Sequence, residues 1–450
     1  MIGLYGQQNS FIKTFTNNEW GYEFVGKLME SEDNCIQLIS TARLSEQFGG
    51  TFKIRIINEQ SGTDTIAYLG SDIGYSIDSG MKSNNAAYTI GTVARGLGVD
   101  NLNLTISKFD SKGEKFQYEY GIENNFERGY GITLDTAGDI VGCGLVAKEL
   151  GGADNETVVV KIDTLGNEIW TRKIKARYNE LKARSVTTDH IGNIYLLADE
   201  ESSFPSIKQV ALIKLNSYGD SLWTKYYPGG TSLAKVIEIN KNGNLIASVT
   251  ADYDGNGRSF TMMELDTSGT VLWSKSYIDE IGLSFAEPFI ELKNGGYAAC
   301  LDVGHPVLLV IDEVGNVLNI QHYEDYGLTS PKDLIELYDG SFAIAGNLLE
   351  LNQDIPKVMW LIKTNPNGEL ITSTLEETFP DISIYPNPAS DFINIKGLEY
   401  NKVLVVNSDG ALVTQYNSDE RVDISHQRSG TYFLIFLTQK GSYTTTVVKM

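Results

Sequence analysis

Apolar and polar residues alternate in short runs along nearly the whole chain, and the runs come in pairs around a D/N-x-x-G-N/D turn. One set of pairs comprises FKIRIINEQSGTDTIAYLG (turn Gly62), LTISKFDSKGEKFQYEYG (Gly113), VVVKIDTLGNEIWTRKI (Gly166) and ALIKLNSYGDSLWTKYY (Gly219). It continues with TMMELDTSGTVLWSKSY (Gly269), VLLVIDEVGNVLNIQHY (Gly315) and VMWLIKTNPNGELITS (Gly368). A second set alternates with it: GITLDTAGDIVGCG (Gly138), SVTTDHIGNIYLLAD (Gly192), VIEINKNGNLIASV (Gly243), FIELKNGGYAAC (Gly295) and LIELYDGSFAIAG (Gly340). Looser copies of the second set lie at GKLMESEDNCIQLIS and YSIDSGMKSNNAAYTIG. Asn, Asp and Gly tolerate the positive φ of tight turns, so each pair is a β-hairpin.

Two hairpins give four strands, which is one propeller blade, and copies recur every 46 to 53 residues. Almost no segment carries a helical period. The pattern predicts an all-β fold: a seven-bladed β-propeller with four-stranded blades over residues 18–376. The ring closes either in whole blades or with its last blade shared between the two ends. Either way, residues 21–41 are expected beside 358–375. Trp170, Trp223 and Trp273 occupy one repeat position, with Phe116, Leu318 and Leu370 near it in other copies. Recurrence in successive blades predicts largely buried blade-to-blade packing residues that also cover the hairpins, rather than an aromatic ring for a ligand. DTLGNEIW at 163–170 and DTSGTVLW at 266–273 resemble the D-x-x-T-G-x-x-x-W turn of quinoprotein-like repeats. This part of the chain is similar to repetitive propellers of secreted Bacteroidetes proteins. The resemblance implies a structural motif and no particular chemistry.

Composition breaks near LEETFPDISIYPNP, which places a linker at 377–383. Residues 384–450 alternate in short strands and predict a small Ig-like β-sandwich that folds separately. They contain Tyr385, Pro386, Asn387 and Pro388, then Asp391 with Ile393 and Ile395, and an Asp409-Gly410 turn. Asp423, Ile424 and Ser425 follow, then Gly430 and Tyr432, and the chain closes with Val448, Lys449 and Met450. This run resembles the type A sorting domain of type IX (Por) secretion over the whole tail. The resemblance implies recognition by the type IX machinery and passage through the periplasm to the cell surface or the medium. Residues 1–17 begin MIGLYGQQNS and read as a signal-peptide remnant or as a frayed end.

Lys and Arg number 36 against 58 Asp and Glu, a formal charge of −22. Such a surface repels phosphate backbones and anionic lipid, so neither nucleic acid nor a membrane face is an expected partner. No apolar run is long enough for a transmembrane segment. Cys35, Cys143 and Cys300 are widely spaced in apolar runs and read as buried free thiols. His190, His305, His322 and His426 show no metal-ligand spacing, and no catalytic motif or arginine triad is evident, so no catalytic or cofactor-binding residue is assigned. Asp252, Asp254 and Asn256 place oxygens at alternate positions, as Ca²⁺ loops do. The twelfth position of that loop is Met263, with Glu264 one place late, and a plain inter-strand loop accounts for the same residues. Asp135-Thr136-Ala137, Asp163-Thr164-Leu165 and Asp220-Ser221-Leu222 fit a D-[ST]-apolar O-glycosylation pattern, which turn preference also explains.

The expectation is an exported monomer whose propeller is a binding scaffold for an extracellular glycan or protein. The alternative is a secreted propeller-fold hydrolase or lyase, and enzymatic activity is left open. Carboxylates converging at one end of the channel would favour the enzyme.

Overall fold

In the computed structural model the described residues are 11–15, 22–30, 35–43, 50–58, 64–69, 75–83, 86–94, 102–110, 113–122, 125–148, 155–203, 206–228, 233–251, 258–284, 288–324, 328–348, 358–370, 383–396, 400–407, 412–417, 421–438 and 441–450. The chain divides into two compact units, Met1–Ile371 and Thr372–Met450.

The first is all-β and propeller-like. Its strands form four-stranded antiparallel sheets in chain order. The first is Tyr22–Glu30, Cys35–Arg43, Gly50–Asn58 and Asp64–Leu69. The second is Tyr75–Ser83, Ala86–Ala94, Leu102–Asp110 and Gly113–Tyr120, and the third is Phe126–Leu134, Ile140–Ala147, Glu156–Ile162 and Glu168–Ile174. One parallel pair, Phe126 with Leu102, joins these two. The fourth is Glu180–Thr188, Ile194–Ser203, Ser206–Leu215 and Ser221–Pro228, and the fifth Leu233–Ile239, Leu245–Ala251, Ser259–Leu265 and Val271–Ser276. One short helix, Ile278–Ile281, precedes the sixth sheet: Phe289–Glu291, Tyr297–Asp302, Pro306–Ile311 and Val317–His322.

The last sheet holds Pro331–Glu336, Phe342–Leu348 and Val358–Lys363, and its outer strand is Phe11–Phe15 from the other end of the chain. Phe11 pairs with Lys363 and Phe15 with Met359. The segment 1–17 was expected outside the propeller, and its described part instead completes a sheet. In the whole-blade frame the second half of the Gly368 hairpin would fill that place; Glu369 and Leu370 form no strand, and this sheet takes strands from both ends of the unit, as in the shared frame. Of the residues expected to face each other across the closure, Val25, Leu28, Ile36 and Leu38 share a core with Met359 and Leu361.

Eight hairpin turns among the described residues close in one way. The Oδ1 of Asp135, Asp163, Asp189, Asn216, Asn240, Asp266, Asp312 or Asn365 accepts the N–H groups two and four residues on, at 2.7–3.1 Å. The fourth residue is a glycine at φ +77° to +88°, a conformation that costs a Cβ-bearing residue. Turn chemistry therefore accounts for the Asp135 and Asp163 triplets, whereas Asp220 follows the glycine of the Asn216 turn.

Inner strands read as continuous apolar runs because both their faces are covered. Every residue of Ile140–Ala147, Leu245–Ala251 and Ser259–Leu265 is buried, whereas Glu168–Ile174 and Val271–Ser276 at the outer edge are largely open. Each sheet shares a buried apolar cluster with the next, and the last shares one with the first. Cys143 and Cys300 are buried free thiols, and burial pushes the Cys143 thiol up to about 12. The side chain of Cys35 lies outside the described residues.

In the second unit, Ser383–Tyr385, Phe392–Lys396 and Val422–Asp423 make one sheet. Leu412–Asn417, Lys402–Asn407, Gly430–Thr438 and Gly441–Lys449 make another. Ala389, Ile393, Val403, Val405, Ile424, Leu434, Phe436 and Val447 form its buried core.

Candidate functional site

The first strand of a sheet carries one residue too many for its partner in six cases. The register shifts between Val25 and Lys27, Ile77 and Ser79, Gly129 and Gly131, Ala183 and Ser185, Ala234 and Val236, and Pro331 and Asp333. The extra residues are Gly26, Asp78, Tyr130, Arg184, Lys235 and Lys332. A bulge re-aims the side chain it inserts, and all six line one cavity of about 710 Å³ to which all seven first strands contribute.

A bulge also leaves backbone N–H groups without a ladder partner, and the preceding sheet supplies acceptors for them. Ala183 N–H donates to Thr157 Oγ1 at 3.0 Å, Ala234 N–H to Asp199 Oδ1 at 2.5 Å and Val25 N–H to Asn347 Oδ1 at 3.0 Å. Leu28 N–H donates to Asp333 Oδ2 at 2.6 Å. Neighbouring sheets are thereby bonded to each other around the cavity wall.

The charged lining is Lys27, Arg128, Arg184, Lys235 and Lys332 against Asp78, Asp199, Asp333 and Glu238. Cations outnumber carboxylates here in a chain of formal charge −22. Arg128 grips Asp78, with Nη2 at 2.5 Å from Oδ1 and Nε at 3.4 Å from Oδ2. Arg184 Nε donates to Asp199 Oδ2 at 2.7 Å, and Lys27 Nζ lies 2.9 Å from Asp333 Oδ1. Tyr130 stands between the two arginines, whose guanidinium carbons lie 5.3 Å (Arg128) and 4.7 Å (Arg184) from its ring centre, within cation–π range. Burial works against the Arg184 charge, and the fields of Asp199 and Tyr130 outweigh it. Burial pushes the Asp199 carboxyl up, against the pull of Arg184 and the Ala234 N–H. Glu238 is reached by water from within the cavity, yet the protein around it pushes its carboxyl up to about 7, with Lys27 opposing.

These residues were not singled out in the sequence, although Gly26, Asp78, Tyr130, Arg184 and Lys235 recur every 51 to 54 residues in phase with the hairpins. Asp252, Asp254 and Asn256 lie outside the described residues. Trp170, Trp223 and Trp273 do occupy equivalent register positions, opposite Lys161, Lys214 and Glu264. They are half-buried rather than largely buried, because each ring lies over the turn glycine of the next sheet instead of inside its own. Trp170 covers Gly219, Trp223 covers Gly269 and Trp273 covers Gly315. Four residues on, Tyr227 and Tyr277 donate from Oη to the carbonyls of Gly269 and Gly315 at 2.6 and 3.0 Å, and Tyr323 does so to Gly368 at 2.6 Å. Two histidines that seemed unrelated, His305 and His322, meet at the edge of the sixth sheet with ring nitrogens 3.0 Å apart.

In the second unit Tyr385, Pro386, Asn387 and Pro388 are exposed. Asn387 Oδ1 accepts the Val448 N–H at 2.9 Å, which ties this run to the strand containing Lys449. The Asp391 carbonyl accepts the Ile424 N–H at 2.7 Å, and Asp423 Oδ1 accepts the Ser425 N–H at 2.8 Å. The Ser425 hydroxyl, and after it this backbone N–H, lower the Asp423 carboxyl from its ordinary value. Tyr432, whose strand begins at Gly430, donates from Oη to the Arg428 carbonyl at 2.9 Å. Gly410 lies outside the described residues. The family model described as "Secretion system C-terminal sorting domain" matches residues 383–450. The tail is a type IX sorting domain. A chain carrying this sorting domain is exported to the cell surface or secreted, and the domain implies interaction with the type IX secretion machinery. No helix among the described residues is long and apolar enough to cross a membrane.

No curated protein matches the sequence. Solved structures of similar chain path include a protein of unknown function from Bacteroides caccae, 14% identical, covering 61% of this chain and 91% of its own at a TM-score of 0.38. An ulvan lyase, a polysaccharide lyase, is 10% identical over 77% of this chain and 97% of its own, at 0.48. The phage phi92 endosialidase is 10% identical over 98% of this chain and 88% of its own, at 0.43. Likenesses at this level carry no statement about activity.

Proposed function

We propose that the first unit is a closed seven-bladed propeller whose axial cavity binds an anionic extracellular ligand, an acidic glycan, with the sorting domain delivering it to the cell exterior. The ring reading is supported by the cluster shared between the first and last sheets and by the seven first strands around one cavity. The observation that carries the ligand reading is the local reversal of charge: Arg128, Arg184, Lys235 and Lys332 gathered on a strongly acidic protein. Tyr130 and the hydroxyl-bearing Ser79, Ser185, Thr133 and Thr187 complete a lining suited to a polyhydroxylated anion. The cavity volume falls in the range of small-ligand sites. The cavity aspartates favour binding over hydrolysis, because Asp78, Asp199 and Asp333 each face their own cation instead of converging.

Calorimetry with polyuronate and neutral oligosaccharides of equal length tests this. The acidic ligand binds and weakens with salt, and Lys235→Ala/Lys332→Ala lowers its affinity at least tenfold. Equal binding of neutral sugars, or indifference to the double variant, overturns it. Glu238 supports a second reading as a lyase or hydrolase, since it opens into the cavity with Lys27 and Asp333 and its carboxyl is pushed up from its ordinary value, a direction that suits acid–base work. Turnover of the acidic ligand that Glu238→Gln abolishes would establish it.

A further inference from the structure

We infer that His305, His322 and Glu324 form a binding site for a divalent transition-metal ion, zinc being the type case. The site lies on the sixth sheet and is separate from the cavity residues. His305 immediately precedes the third strand, Pro306–Ile311, and His322 ends the outer strand, Val317–His322. Antiparallel pairing sets Val307 opposite His322, and Tyr323 N–H donates to the Pro306 carbonyl at 3.0 Å, which continues the register by one place. One place further, His305 faces Glu324. Side chains alternate along an extended chain. Tyr323 is buried and points inward, so His322 and Glu324 on either side of it point outward together.

Three single atoms define the site. His305 Nε2 and His322 Nδ1 are 3.0 Å apart, and Glu324 Oε1 lies 3.5 Å from the first and 3.6 Å from the second. Ligands about 2.0–2.1 Å from a tetrahedral zinc are separated by about 3.3 Å, so this triangle is close to one face of that tetrahedron. A point about 2.0 Å from all three atoms falls just off their plane. Two imidazoles and a carboxylate select zinc, copper or nickel over calcium and magnesium, which take oxygen ligands. His305 is half-buried, while His322 and Glu324 are exposed, so the ion has a route in and an open fourth position.

Hydrogen bonds hold the chain on both sides of the site. The Val303 N–H donates to the His305 carbonyl at 3.2 Å, and Tyr323 Oη holds the Gly368 carbonyl at 2.6 Å. A bound ion therefore pins the end of an edge strand at the contact between the sixth and last sheets.

The test is calorimetric titration of the full chain with zinc chloride at neutral pH in excess calcium, which occupies sites made of carboxylates alone. One equivalent of zinc binds, and His322→Ala, His305→Ala and Glu324→Gln each weaken it at least tenfold. Cobalt(II) at the same site gives the visible absorption of a tetrahedral ion. Zinc raises the unfolding temperature of the native chain and not that of His305→Ala/His322→Ala, whose fold is checked by circular dichroism. Absence of zinc binding, or equal binding by the double variant, overturns the inference.

Discussion

The turn glycines separate two energetic effects that usually arrive together. Gly243 and Gly269 have nearly the same backbone, φ +79° and +82°, and each is the fourth residue of the same kind of turn. A Cβ at Gly243 meets nothing within 4 Å, whereas at Gly269 it lies 3.0 Å from the Trp223 ring, from Tyr227 Oη and from Lys225 Cδ. Gly243→Ala therefore carries only the left-handed backbone cost, about 1–2 kcal/mol. Gly269→Ala adds overpacking of about 1–3 kcal/mol. Lys225 can swing away, but Tyr227 cannot retreat without giving up its 2.6 Å bond to the Gly269 carbonyl. The expected losses are about 1–2 kcal/mol for the first variant and about 2–5 kcal/mol for the second. Urea unfolding followed by circular dichroism measures both. Trp223→Leu in the Gly269→Ala background should recover part of the loss, giving a coupling of about 1 kcal/mol or more. Equal losses for the two glycines, together with strict additivity in the double variant, would refute the idea that each sheet grips the turn of the next.

Three further outcomes follow from the structure. Glu127 is sealed from solvent, and burial pushes its carboxyl up to about 7, with a weak backbone contact at Ile122 and the Lys173 charge offsetting only part of this. A raised carboxyl favours the folded state fully below its unfolded value of about 4.3, and that contribution is lost as pH rises toward 7. Glu127→Gln should thus stabilise the protein at pH 8 by about 1–3 kcal/mol and leave it nearly unchanged at pH 4, as read from urea midpoints; a variant that tracks the native protein at both values contradicts the assignment. Asp199→Ala strands the Arg184 charge and the Ala234 N–H and should cost about 3–5 kcal/mol, while Asp199→Asn, which keeps an acceptor, should cost less than half of that in the same assay. Removal of residues 383–450 should leave a folded first unit retained in the periplasm of a host with type IX machinery, detected by cell fractionation; surface display of the truncated chain would count against the role of the tail.

The hairpins were legible because their turns are spelled locally: an Asp or Asn at the first position and a glycine at the fourth serve one short stretch of chain. The tail was legible for a similar reason, since Tyr385–Pro388 and the Asp423-Ile424-Ser425 run are contiguous. The cavity was not, because the position that Tyr130, Arg184 and Lys235 share changes its chemistry from copy to copy, and only the bulge in each first strand turns that position toward the cavity. The pairing of His305 with His322 required the register of two strands around Gly315. The place of Phe11–Phe15 could not be read either: five residues of ordinary alternation gain meaning only from a partner at Val358–Lys363. The equivalence of Trp170, Trp223 and Trp273 and their place between neighbouring sheets were legible from their recurrence, but their half-exposure was not, because it follows from rings lying over a turn at the sheet's outer edge.

The strand Phe11–Phe15 has a bearing on the order in which the molecule assembles. Its hydrogen-bonding partner is the last described strand of the first unit, so the first described strand must wait for almost the whole unit before it can be paired. Loop closure grows costlier only slowly with length, about 0.6 kcal/mol per doubling, so the delay is set by synthesis more than by thermodynamics. Until then Phe11–Phe15 has no strand of its own sheet to pair with and is open to the wrong strand from another copy. Once paired, the latch makes the two ends of the unit fail together: pulling either end, or a cut between residue 15 and residue 22, would release the same sheet.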